Sequence, residues 1–196
     1  MSELALYIVD CETTSILTQG DIIEISFYRF STGEQKTWYM RAKNEEHINL
    51  EALRINGHKL LDITWKTNEG KKKYLEPEEA LPQIENWMAD DELSAMDRVL
   101  VGHNISFDER HMRELWKRCG TSDTFPFGYH SLDTKAVAIF FDWAQGLNNK
   151  MYSLGQLVKR LKITKRKSHL AEQDVLMNVD LLNYYKKEVN KILKEK

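Results

Sequence analysis

Asp10 and Glu12 close an apolar run that begins at Leu4. Successive side chains of a strand point to opposite faces, so both carboxylates project from one face while Cys11 points the other way. Two acids side by side at the end of an apolar strand repel one another and are costly to desolvate, which calls for a cation. Carboxylate oxygens suit Mg²⁺ or Mn²⁺, and Mg²⁺ takes one or two protein carboxylates and fills the rest of its octahedron with water and phosphate. Taken alone, the pair is equally well explained as a polar strand end that opens the loop Thr13-Thr14-Ser15. Two further segments bear on the choice. Gly102-His103-Asn104-Ile105-Ser106-Phe107-Asp108 reads as a turn from strand into helix, with Asp108 on the first helical turn. His169-Leu170-Ala171-Glu172-Gln173-Asp174 sets a histidine five residues before an acid. On one regular helix that offset separates the side chains by about 140°, so His169 is expected at the helix entry, where the loop can swing it toward Asp174.

The elements that must position these residues follow from hydrophobic periodicity. Leu4 to Val9 is almost wholly apolar, as a central strand buried on both faces should be. Ile22 to Phe30 and Lys36 to Arg41 carry β-branched and aromatic residues around the turn Ser31-Thr32-Gly33-Glu34, which predicts an antiparallel meander with the first strand. Leu50, Leu53 and Ile55 precede Asn56-Gly57, a helix end, and Pro77-Glu78-Glu79 opens a helix through Met88. The polar stretch Thr67 to Lys73 between them reads as a loop. Arg98 to Gly102 is a short strand, and Asn104 opens a helix with Phe107, His111, Met112, Leu115 and Trp116 at helical spacing. An edge element follows near Phe127 to Leu132, then helices over Thr134 to Trp143, Leu154 to Leu161, and from about His169 onward. In the last, Val175, Val179, Leu182 and Val189 form one stripe. Strands first, then helices mixed with strands, predict an α/β layer structure with a mixed sheet.

Together the three motifs, Asp10-x-Glu12, Gly102-His103-Asn104-x-x-Phe107-Asp108 and His169-x-Ala171-x-x-Asp174, resemble the DEDD exonuclease superfamily. The resemblance is to its histidine-containing branch, DEDDh, which includes the proofreading epsilon subunit of bacterial replicative polymerase. It spans roughly residues 4–185, with Asp21-Ile22-Ile23-Glu24-Ile25 and Leu132-Asp133-Thr134 adding to it. Ser15 departs from it, standing where the family often has glycine. The resemblance implies a ribonuclease H-like fold, a mixed central sheet with an antiparallel meander flanked by helices. It also implies that Asp10, Glu12, Asp108 and Asp174 bind two divalent ions, Mg²⁺ or Mn²⁺, with His169 as general base. The implied reaction is 3′–5′ removal of nucleoside 5′-monophosphates from single-stranded nucleic acid, with DNA the expected substrate. Two cations roughly 3.5–4 Å apart stabilise both the attacking and the leaving oxygen at phosphorus, and a histidine of ordinary pKa about 6.5 takes up a proton near neutrality. Thr13 and Glu12 resemble positions that meet the last nucleotide, and Phe107 resembles a residue lying against the end base, although core burial fits Phe107 equally well. Asn104 reads as a helix cap, a substrate contact, or both, with capping the stronger reading. Asp133 is assigned to helix capping and His103 to orienting its turn. His47, His58, His111 and His130 have no partner at metal-ligand spacing and read as structural or surface residues.

Bulk properties narrow the alternatives. A chain of 196 residues with 42% apolar content suits one domain with its own core. Leu4 to Val9 is too short for a signal peptide core or a membrane span, so a cytoplasmic location is expected. Cys11 and Cys119 lack paired spacing and read as reduced and structural. Net charge is −2, which argues against a broad nucleic-acid-coating surface. The distribution is uneven, however: residues 150–196 hold 12 Lys/Arg against 5 Asp/Glu. The dense stretch Lys159, Arg160, Lys162, Lys165, Arg166 and Lys167 is a candidate phosphate contact just before His169. An oligoribonuclease-like enzyme and a non-catalytic nucleic-acid-binding module of the same fold are the rival readings. The sequence identifies neither a polymerase or repair partner nor an oligomeric state.

Overall fold

The computed structural model describes residues 5–119, 125–163, 166 and 169–194. Five strands, β1 (Ala5–Thr13), β2 (Ile22–Arg29), β3 (Glu34–Tyr39), β4 (Arg98–Gly102) and β5 (Ser131–Asp133), form one sheet in the order β3-β2-β1-β4-β5. The first three make the expected antiparallel meander, while β1–β4 and β4–β5 are parallel. The hairpin turn at Gly33 takes a φ of 76°, a left-handed conformation that costs glycine least. Among the described residues there are eight α-helices, α1 (Leu50–Asn56), α2 (Leu60–Ile63), α3 (Asn68–Lys73), α4 (Pro77–Ala89), α5 (Ser106–Cys119), α6 (Thr134–Ala144), α7 (Leu154–Arg160) and α8 (Ala171–Lys194), and two short 3-10 helices, Glu45–His47 and Ala95–Asp97.

Alternation along β1 divides the core. Tyr7, Val9 and Cys11 face one side, where they join Leu81, Ile84 and Trp87 of α4 and Met112, Leu115 and Trp116 of α5. Ile8 faces the other side, with Val99 and Val101 of β4 and Val175 and Val179 of α8. Asp10 and Glu12 follow Ile8 at a period of two, so the alternation that buries Ile8 against α8 also aims both acids at the N-terminal end of that helix. β1 pairs with β4 only as far as Ile8 opposite Val101, which leaves its C-terminal half free on that edge.

Three expectations change. Thr67 to Lys73 is not a loop: α3 forms there because the Thr67 hydroxyl accepts the Gly70 N–H at 2.9 Å, and Gly70 packs so close to the Asp62 backbone that no larger residue fits. Asn104 does not cap α5. It occupies a left-handed position (φ 64°), which asparagine tolerates, and the helix begins two residues later at Ser106. Val189 continues the stripe of α8 in spacing but not in burial, since the sheet ends before it and leaves it 41% exposed. Among the described residues no helix is long and apolar enough to cross a membrane.

Candidate active site

The end of β1 and the start of α8 bring Asp10, Glu12 and Asp174 together, each offering a carboxylate oxygen within 4.8 Å of the others. Asp174 lies in the first turn of α8, where unpaired N–H groups favour anions. One of its oxygens, Oδ2, accepts the His169 backbone N–H at 3.0 Å, while Oδ1 is buried without a hydrogen-bond partner. His169 stands just before the helix with φ 67°, and this left-handed turn places its side chain in solvent beside Asp174. The placement of the histidine at the helix entry agrees with the five-residue offset in the sequence.

Asp108 is held differently. It sits on the first turn of α5, 4% exposed, and its Oδ1 accepts the Cys11 N–H at 2.9 Å, on the stretch of β1 that β4 no longer covers. It therefore stands outside the three-way group yet within electrostatic reach of Asp10. The free edge of β1 and the helix start thus bring a fourth acid to the same end of the sheet.

None of these four carboxylates is paired with a lysine or arginine among the described residues, and their proton affinities rise accordingly. Burial pushes Asp10 well above the usual carboxylate range, and the charges of Asp108, Asp174, Glu12 and Glu24 push it further. Burial followed by Asp174, Glu24 and Asp108 raises Glu12 to about 8. Burial raises Asp108 to about 7 and Asp174 to about 6, against the opposing pull of the Cys11 and His169 amides respectively. A cluster of buried acids that cannot all ionise is an arrangement a divalent cation would relieve, and an all-oxygen donor set is the kind Mg²⁺ and Mn²⁺ prefer.

Around the acids, Thr13 is buried and its hydroxyl donates to the Ser15 carbonyl at 2.9 Å, so its side chain is engaged within its own turn. That turn is tight: a β-carbon on Gly20 would lie 2.9 Å from the Ser15 backbone. Beyond it, Ile16 and Leu17 are 72% and 59% exposed, large apolar groups at the rim that the sequence reading did not single out. Phe107 is half-buried and outside the apolar clusters, with its ring 4.4 Å from that of His111. His111 in turn bridges the carbonyls of Phe107 and Leu17 at 3.0 Å each, joining α5 to the loop. Asn104 is exposed, and its N–H donates to Asp133 Oδ1 at 2.9 Å. Asp133 caps α6 through Lys135 N–H, as expected, and His103 ties its turn to Thr134 Oγ1 and the Tyr152 carbonyl.

Glu24 and His58 were not legible as a pair. Glu24 Oε2 meets His58 Nε2 at 2.8 Å, and His58 Nδ1 meets the Tyr74 hydroxyl at 2.6 Å, all three groups being buried. The sequence signals Glu24 alone, as an acid in the otherwise apolar strand Ile22-Ile23-Glu24-Ile25 and as part of a segment included in the family resemblance.

Known proteins bear on this geometry. The RNase_T family model, described as an exonuclease, matches residues 7–182. No curated protein sequence matches the chain. The fold is similar to that of E. coli exonuclease I in its zinc-bound complex with single-stranded DNA, with a TM-score of 0.77 and 16% identity over 99% of this chain and 43% of that one. It is also similar to a product-bound exonuclease I (TM-score 0.73, 16% identity, 95% and 44% coverage) and to cell-death related nuclease 4 (TM-score 0.74, 12% identity, 94% and 64% coverage). The chain spans about two fifths of the length of the exonuclease I structures. This likeness shows the fold, the ribonuclease H-like mixed sheet with flanking helices that the sequence implied.

Proposed function

Because the chain belongs to the exonuclease family of the RNase_T model, we propose that it is a metal-dependent 3′–5′ exonuclease. In this reading it releases nucleoside 5′-monophosphates from the 3′ end of single-stranded nucleic acid, with DNA preferred over RNA. The observation that carries the proposal is the convergence of Asp10, Glu12 and Asp174 on one point at the end of β1. Asp10, Glu12, Asp174 and Asp108 would hold two divalent ions, Mg²⁺ or Mn²⁺, whose charge would stabilise the attacking and leaving oxygens of a displacement at phosphorus. The donor set fits them, since Asp174 Oδ1 is a buried acceptor with nothing to accept from.

His169 is the general base. Its imidazole is exposed at the helix entry, and its own amide fixes one Asp174 oxygen, so the group that takes up the proton and an acid that would hold the ion are positioned by the same turn. Asp108 is oriented by the Cys11 amide. Phe107, with Ile16 and Leu17 at the rim, offers apolar faces on which terminal bases stack. Thr13 serves the last nucleotide through the backbone of its turn, its hydroxyl being occupied, and Asn104 presents its side chain at the mouth. Of the basic stretch, Lys159 and Lys162 are the phosphate contacts in this reading. Arg160 is committed to Asp142 and Arg166 to Asp180, while Lys165 and Lys167 lie outside the described residues.

The test is release of label from 3′-labelled DNA and RNA oligomers of one sequence, with Mg²⁺ or Mn²⁺, by wild type and Asp10→Ala. The expected result is release of the label as a mononucleotide by wild type, faster from DNA, and none by the variant. Wild type that releases no label with any divalent metal removes the enzymatic reading, and faster release from RNA moves it to the oligoribonuclease class.

A further inference from the structure

One more carboxylate stands among the acids. Glu24 on β2 lies directly opposite Glu12 on β1, and residues so placed in an antiparallel pair share a sheet face with β-carbons about 5 Å apart. Like charges at that spacing oppose one another, yet Glu24 is 1% exposed. Its Oε2 is secured by His58 Nε2, and His58 Nδ1 is secured by the Tyr74 hydroxyl. With Tyr74 donating to Nδ1, the ring carries its proton on Nε2 and gives that hydrogen bond to Glu24, which keeps the carboxylate an acceptor. The second oxygen, Oε1, is buried with no partner, like Asp174 Oδ1. Two unsatisfied buried oxygens around one group of acids are what a missing positive ligand leaves behind. Glu24 also lines a cleft of about 230 Å³ together with Tyr39, Asn56, His58, Tyr74 and Leu170, the residue between His169 and the first turn of α8.

We propose that Glu24 is a fifth carboxylate of the metal site, a positioning residue whose free oxygen accepts from the hydration shell of a bound divalent cation while His58 and Tyr74 hold the other oxygen in place. The inference rests on the metal-dependent reading above. It explains why an acid is kept opposite Glu12 and why its partner is a histidine whose second nitrogen is itself tied down. Groups that orient the surroundings of a bound metal typically change its affinity about 10–100-fold when replaced.

The experiment is Mn²⁺ titration of wild type, Glu24→Gln and Tyr74→Phe, with free Mn²⁺ followed by electron paramagnetic resonance. The amide of Glu24→Gln keeps the side chain's volume and its acceptor for His58, and it is expected to weaken Mn²⁺ binding about 10-fold or more. Tyr74→Phe frees the His58 ring and is expected to weaken binding by less, about 3-fold, and this variant carries the test should Glu24→Gln fail to fold. Wild-type affinity in Glu24→Gln, or in Tyr74→Phe where it stands in, overturns the role of Glu24. Wild type that binds no Mn²⁺ overturns the metal-dependent reading itself, so the two failures are distinct.

Discussion

Replacing Glu12 by glutamine removes a charge that the folded chain holds at a cost, and the size of that cost follows from the site. Burial, with Asp174, Glu24 and Asp108 adding to it, raises Glu12 from an ordinary 4.5 to about 8. A raised carboxyl pKa means that the folded state keeps a proton which the unfolded chain releases as pH climbs past its ordinary value, so stability falls from about pH 4.5 upward and levels off above about pH 8. At about 1.4 kcal/mol per pH unit, the metal-free protein at pH 7 forgoes about 3 kcal/mol on Glu12, an upper limit because the side chain relaxes toward solvent. In urea unfolding with EDTA, Glu12→Gln is therefore expected to be more stable than wild type at pH 7 by up to about 3 kcal/mol, and nearly equal to it at pH 4. Mn²⁺ at about a thousand times its dissociation constant should reverse the order, since it adds about 4.1 kcal/mol to the form that binds it. Identical unfolding of the two proteins at pH 7 in EDTA, or a difference that stays constant from pH 4 to pH 8, would refute the reasoning.

Two further substitutions separate chemistry from binding. His169→Ala should lose about 10²–10⁴ in rate while binding Mn²⁺ nearly as wild type, because the Asp174 contact comes from the His169 backbone and survives the change. An unchanged rate would assign the base elsewhere. Phe107→Ala should raise KM for a single strand about ten-fold, as expected for losing one base stack of about 1–3 kcal/mol, with the melting temperature held because the ring lies outside the apolar clusters. A fall in melting temperature without a change in KM would return Phe107 to the core.

What the sequence discloses about this site is what local geometry controls. The period of two places Asp10 and Glu12 on one face, and the five-residue offset requires His169 to sit outside the helix that carries Asp174, which the left-handed turn at His169 satisfies. Asp108 on a first helical turn and Asp133 as a cap are likewise local. What escapes the sequence depends on which distant backbone is adjacent: Asp108 orients on an amide 97 positions away, and Glu24 meets a histidine 34 positions away. The short helix α3 escapes for the same reason, since Gly70 reads as a breaker until the Asp62 backbone beside it shows why only glycine fits.

The two ends of the sheet carry opposite solutions to one physical problem. Near the start of β1 and β4, burial alone would raise Asp91, but hydrogen bonds from Arg98 and Tyr7 outweigh it and hold the carboxyl at about 2. Arg29 adds to that end, donating to the Trp87 carbonyl at 2.6 Å with its guanidinium over the Trp87 ring. At the other end of β1, Asp10, Glu12 and Asp174 are raised with no lysine or arginine paired to them among the described residues. A fold that supplies an arginine to one half-buried acid, and among the described residues supplies none to a cluster of them, keeps that cluster's charge for something that comes from outside. The raised acids are therefore better explained as a site awaiting a cation than as an error of packing, and the pH dependence of Glu12→Gln with and without Mn²⁺ measures that difference directly.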